Sequence, residues 1–163
     1  MSGVEVERPE GFKRVAQALR ELGHAHAPRW LDVAGRTSQE AADALGIAVG
    51  QIAKSVIFRR RSDDRAVLVI ASGDRRVDER KVGAVTGDLG RADAQFVRAA
   101  TGFVIGGVAP LAHATAPVTL IDRELFRFGE IWAAAGHPNG VFKLTPQDLE
   151  RYTGAPVADV VVA

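Results

Sequence analysis

Apolar residues recur at helical spacing at Phe12, Val15, Ala16, Leu19 and Leu22, with Gly23 where a stop belongs, so the pattern predicts an amphipathic helix from about Glu10 to Leu22. Thr37-Ser38-Gln39-Glu40 has the form of a capping box, and Ala41, Ala42 and Leu45 then run to Gly46, which predicts a second, short helix. Beyond it the period changes. Val56-Ile57-Phe58 is β-branched and aromatic, Arg60 to Arg65 is a polar interruption, and Ala66 to Ala71 is a continuous apolar run of strand length, which together predict a hairpin. Asp78 is placed to cap a helix carrying Val82 and Val85. Phe103-Val104-Ile105, Val118 to Ile121, Ile131 to Ala135 and Gly140 to Leu144 read as further short strands, and Thr145-Pro146-Gln147-Asp148 opens a last helix running through Leu149 towards Gly154. Helices flank strands in no strict alternation, so the expected class is α+β around a mixed sheet.

Composition narrows the chemistry. The 163 residues are 47% hydrophobic and 25% charged, as in a soluble globular protein of one domain, and no apolar run approaches the ~20 residues of a membrane helix. The stretch from Met1 to Glu10 has no positive segment followed by an apolar core, so no signal peptide is expected and the cytoplasm is the expected location. Without cysteine there is no disulfide framework, thiolate nucleophile or cysteine-ligated zinc. His24, His26, His113 and His137 lack metal-binding spacing, so no metal is expected. Net charge is +1, too little for binding nucleic acid by bulk attraction. Between Lys54 and Lys81, however, nine basic residues face five acidic ones, a local +4. That segment, with Arg59, Arg60 and Arg61, reads either as a solvated hairpin turn or as a phosphate-facing patch.

Two places break the apolar pattern. Lys54 interrupts the run from Ile52 to Phe58, where an ammonium either snorkels to the surface, meets a carboxylate or faces a ligand. A Schiff-base nucleophile is a further role open to such a lysine. Ser55 beside it points to the other face by strand alternation. Gly106-Gly107-Val108-Ala109-Pro110 either forms a bulge or turn, or brings main chain close to a ligand with free amides. Gly136-His137-Pro138-Asn139-Gly140 is turn chemistry between two apolar strands, with His137 at its tip. No nucleotide-phosphate loop or serine triad is present.

Taken in order, Thr37-Ser38-Gln39-Glu40-Ala41-Ala42, Leu45-Gly46-Ile47, Gln51-Ile52-Ala53-Lys54-Ser55, Thr101-Gly102 and Gly106-Gly107-Val108-Ala109-Pro110 resemble the YbaK and prolyl-tRNA-synthetase-associated editing domains. The segment from Ala135 to Gly140 with Leu144 to Leu149 is similar to that family's closing strand and helix. The resemblance implies one editing domain over residues 1–163, with a partly barrel-like mixed sheet and residues 1–24 as a helical extension packed on it. It implies a trans-editing deacylase that hydrolyses the ester of a mischarged tRNA without cofactor or metal. Alanine, cysteine, serine or 2-aminobutyrate on tRNA for proline are the implied substrates, and prolyl-tRNA synthetase an implied partner; no membrane is involved. Lys54 would be the essential residue, and Gly106, Gly107, Val108 and Pro110 would shape the aminoacyl pocket, with Ser55, Gly136 and His137 beside it. The main-chain amides around Gly106 and Gly107 would hold the reacting carbonyl, and Arg59, Arg60 and Arg61 would give weak tRNA contacts. A non-catalytic module binding tRNA or a synthetase through the same cleft is the alternative.

Overall fold

The apolar run after the basic turn becomes the middle of a sheet. In the computed structural model, which describes residues 7–163, the order is α1 (Glu10–Glu21), β1 (Arg29–Trp30), α2 (Ser38–Leu45), β2 (Ile52–Arg60), β3 (Ala66–Ser72), α3 (Glu79–Thr86), β4 (Leu89–Arg91), α4 (Ala94–Thr101), β5 (Val118–Asp122), β6 (Ile131–Ala134), β7 (Gly140–Leu144), α5 (Pro146–Thr153) and β8 (Val157–Ala158). Strand order is β1-β7-β6-β2-β3-β5-β8, with β4 added to β2. Parallel and antiparallel pairs both occur, so the fold is α+β with a mixed sheet flanked by helices. The first six residues of the expected N-terminal extension, including most of the stretch read for a leader, lie outside the described residues.

Every residue of β3 is buried because both faces of the sheet are covered there. Leu68 and Ile70 meet α1, α4 and α5 through Val15, Leu19, Val97 and Leu149, whereas Val67, Val69 and Ala71 meet Val82 of α3 and the C-terminal Val160 and Val161. A third cluster lies under α2, where Ala41 and Ala42 cover Leu31, Ile52, Trp132 and Val141. No helix is long and apolar enough to cross a membrane among the described residues.

Capping follows the sequence closely. The side chains of Thr37, Asp78, Asp93 and Thr145 accept amides at the starts of α2, α3, α4 and α5. At α2 the Thr37 hydroxyl accepts from Glu40 N–H at 3.1 Å, but the return bond from Glu40 is not formed among the described residues. One expected strand is absent: Phe103-Val104-Ile105 is a turn. Asp93 starts a helix upstream of it and Gly102, at φ +78°, ends that helix. Phe103 then drops into the core while Val104 and Ile105 stay exposed, so the three residues never share a pleat.

What positions the site is a split in the sheet. β2 pairs with β3 from Ala53 to Arg59 along one edge. On its other edge it pairs with β6 only at Ile52 and Ala53, and with β4 only from Phe58 to Arg60. Among the described residues no strand covers that edge between Lys54 and Ile57.

Candidate active site

A cavity of about 310 Å³ opens where β6 leaves β2. Ile52, Ala53, Lys54 and Ser55 of β2 form one wall, and Trp132, Ala133 and Ala134 of β6 another. The start of α2 closes it from one side, and Gly106, Val108 and Pro138 from loops on the other. Alternation puts Lys54 on the face of Ile52, which packs with Trp132 and Val141 under α2. The floor is therefore apolar, and a single lysine rises beside it.

Lys54 is half-buried, and its ammonium donates to the main-chain carbonyl of Arg75. Burial pulls its pKa below that of an ordinary lysine, against the attraction of Asp122 and Asp74, which favours the charged form. Neither carboxylate is a simple counter-ion. Asp122 is fully buried and accepts the Ser72 and Glu124 amides at 3.0 and 2.9 Å. Asp74 takes Arg127 at 2.8 Å, which holds its carboxyl below the usual range. The ammonium thus keeps donor capacity for another partner, since three protons serve one carbonyl.

The glycine loop meets the cavity from the strand's open edge. Ser55 Oγ donates to the Val108 carbonyl at 2.8 Å, so the serine that leaves the Lys54 face ties β2 to the loop. Gly106 has φ +85°, a conformation that favours glycine. Gly107 is not a free donor: its N–H bonds to the Val104 carbonyl at 3.0 Å and closes the turn. That corrects the expectation of a Gly106–Gly107 amide pair. Among the described residues, the amides of Gly106 and Val108 have no protein acceptor, and both residues line the cavity. Gly107 is needed for packing instead, because a Cβ there would sit 2.6 Å from His137 Cα.

Pro110, Gly136 and His137 lie outside the lining. Pro110 is buried behind the loop. Gly136 packs on the Gly11 carbonyl, leaving no room for a side chain. His137 stacks on Trp30 with centroids 4.8 Å apart, and its Nδ1 accepts the Asn139 N–H at 3.0 Å. Burial lowers its pKa, so the neutral ring is favoured. The arginines of the turn are engaged locally: Arg59 pairs with Asp64, Arg60 with Asp63 at 2.7 Å, and Arg61 donates to the Leu89 carbonyl at 2.9 Å. Their guanidinia brace the hairpin and β4. No cluster of three metal-ligating side chains occurs among the described residues.

Several lining residues escape a reading of the sequence, namely Arg36, Trp132, Ala133, Ala134, Pro138 and Val141. The signal available was the alanine run of β6, whose small side chains leave space that a strand of valines would fill.

Comparison with known proteins identifies the family. The model of a family described as "Aminoacyl-tRNA editing domain" matches residues 32–152. The uncharacterized protein YwhH of Bacillus subtilis (strain 168) is 32% identical over 127 residues, covering 77% of this chain and 80% of that protein. A crystal structure described as that of a candidate trans-editing enzyme for prolyl tRNA synthetase superposes with a TM-score of 0.88 at 38% identity, covering 96% of this chain and 100% of that one. The proline–tRNA ligase of Lactobacillus acidophilus (strain ATCC 700396 / NCK56 / N2 / NCFM) is 28% identical over 134 residues, which are 81% of this chain and only 22% of the ligase. On the match of the family model and of a relative aligned over most of both lengths, the chain belongs to the aminoacyl-tRNA editing domain family.

Proposed function

We propose that the protein is a deacylase acting in trans on mischarged tRNA, and that the cavity between β2 and β6 receives the aminoacyl ester at the 3′ end. The observation that carries this reading is Lys54, a half-buried cation on the wall of a cavity also lined by Gly106 and Val108, whose amides have no protein acceptor among the described residues. An aminoacyl ester is already activated, so positioning and electrostatics suffice for its hydrolysis. Water, or a group on the substrate itself, adds to the ester carbonyl. The oxygen gains negative charge as the tetrahedral centre forms, and the Gly106 and Val108 amides are the donors assigned to it. Lys54 holds the substrate end through a carbonyl contact. Collapse breaks the bond to the ribose oxygen, which takes a proton, and with water as nucleophile the amino acid leaves as a free carboxylate.

The cavity, of about 310 Å³, is proposed to take a small side chain such as that of alanine, cysteine, serine or 2-aminobutyrate. Transfer RNA for proline is the carrier proposed, by likeness to the protein described as a candidate trans-editing enzyme for prolyl tRNA synthetase. In this reading the chain acts as one domain, and prolyl-tRNA synthetase is a partner in sequence of action. Incubation with tRNA for proline charged in turn with each of these amino acids, following release of the labelled amino acid, tests the proposal. Release from at least one supports it; release from none leaves a binding module.

A further inference from the structure

We infer that Arg36 binds the phosphodiester that joins the aminoacylated terminal nucleoside to the rest of the tRNA chain. The inference rests on the functional reading above, since it supposes that an aminoacyl end enters the cavity. Arg36 lines that cavity and is exposed at its mouth. Its loop is fixed from both ends: Leu31 N–H donates to the Asn139 carbonyl at 2.7 Å, Gly35 N–H to the Pro138 carbonyl at 2.8 Å, and Asn139 Nδ2 to the Leu31 carbonyl at 2.9 Å. Gly35 also packs on Ala41 so closely that a Cβ would lie 3.0 Å from the alanine methyl. The loop is therefore pinned against the wall that carries Pro138.

Among the described residues Arg36 is the one arginine that lines the cavity, and many of the others are occupied. Arg59, Arg60, Arg75, Arg127 and Arg151 pair with carboxylates, and Arg14, Arg61 and Arg65 donate to carbonyls. Among the described residues Arg36 has neither, although Asp32 and Glu40 stand on the same loop and helix. Lys54 is a poor choice for the phosphate, because its ammonium is half-buried, feels Asp122 and Asp74, and already serves the Arg75 carbonyl. A phosphodiester keeps much of its hydration and belongs at a mouth. A planar guanidinium there offers a two-pronged contact suited to phosphate oxygens. The two cations thus divide the work, Lys54 inside for the ester end and Arg36 outside for the backbone.

The test measures affinity for two non-hydrolysable probes: alanine joined by an amide to the 3′ end of tRNA for proline, and the same amide on adenosine alone, which lacks the phosphate. Arg36→Gln is expected to weaken the tRNA probe tenfold or more and to flatten its salt dependence by roughly 0.7 in slope, the share of one phosphate on a single strand. Affinity for the adenosine probe should move less than twofold, and Arg36→Lys should recover part of the loss. Unchanged tRNA affinity, or an equal loss on both probes, overturns the assignment, as does a wild-type protein that binds neither. A wild-type protein that binds both probes yet releases no ester-linked amino acid refutes the hydrolytic reading while leaving Arg36 to be judged by its own ratio. Because Arg36 makes no protein contact that the fold needs, its variants should melt with the wild type.

Discussion

Ser55 Oγ donates to the Val108 carbonyl at 2.8 Å, joining the unpaired edge of β2 to the glycine loop across 53 residues of sequence. Val108 is 4% exposed, so water does not readily replace that donor. Ser55→Ala should cost about 1 to 3 kcal/mol, as for a buried acceptor left unpaired, and lower the melting temperature by several degrees. Denaturant unfolding at constant slope checks it, and a change under roughly 0.3 kcal/mol would show that the tie carries no weight.

The two adjacent glycines should fail differently. At Gly106 the penalty of Ala is its positive φ, about 1 to 2 kcal/mol, because the added methyl meets only Pro138 Cγ at 3.7 Å. At Gly107 the methyl would strike the His137 backbone at 2.6 to 2.8 Å, so the loop and the 136–140 turn must separate. Gly107→Ala is expected to be the more destabilising in urea titrations. The opposite order would contradict the packing described.

Small residues on β6 set the width of the cavity. Ala134→Val should narrow it, so that the ratio of kcat/KM for an alanyl ester over a 2-aminobutyryl ester rises about tenfold, within the usual worth of one methylene. A ratio that stays level would place the side chain of the substrate elsewhere.

Protonation of Lys54 gives a pH dependence of known sign. Burial places its folded pKa below the ordinary lysine value of 10.5, so the ammonium is present at lower pH and lost as pH rises through the lowered value. Deacylation corrected for spontaneous hydrolysis should therefore fall on the alkaline side with a midpoint below 10.5. Stability runs the other way, because the unfolded chain binds more protons between the two values and burial of the charge stops costing. Titration of the Lys54 amine by nitrogen NMR tests the assignment; a midpoint at or above 10.5 would refute it.

Much of the scaffold was legible because its signals are local. Phe12 to Leu22, Asp78, Thr145-Pro146 and the run from Ala66 to Ala71 each carry their own period or cap, and each became the element expected. Phe103 to Ile105 misled because three apolar residues satisfy a strand and a turn equally until burial separates them. The helix from Ala94 to Thr101 went unread, although Asp93 and Gly102 bracket it. At the site, Lys54 stood out as a charge in an apolar run, and the glycine pair as a special backbone. Arg36, Pro138 and the walls of β6 did not, since they reach the cavity only through the split that puts β6 on one part of β2 and β4 on another. Pairing between segments some 80 residues apart leaves no periodic trace. Nor could composition reveal that Gly107 spends its amide on Val104 while Gly106 and Val108 leave theirs without a protein acceptor.

Single-turnover release of amino acid from a mischarged tRNA, compared between the wild-type protein and Lys54→Ala at saturating protein, tests the role of this lysine most directly. Loss of one preorganised electrostatic contact in a cavity typically costs about 2.7 to 4 kcal/mol of barrier, so the variant should be slower by roughly a hundredfold or more while melting near the wild type. Equal rates from a folded variant would contradict the account.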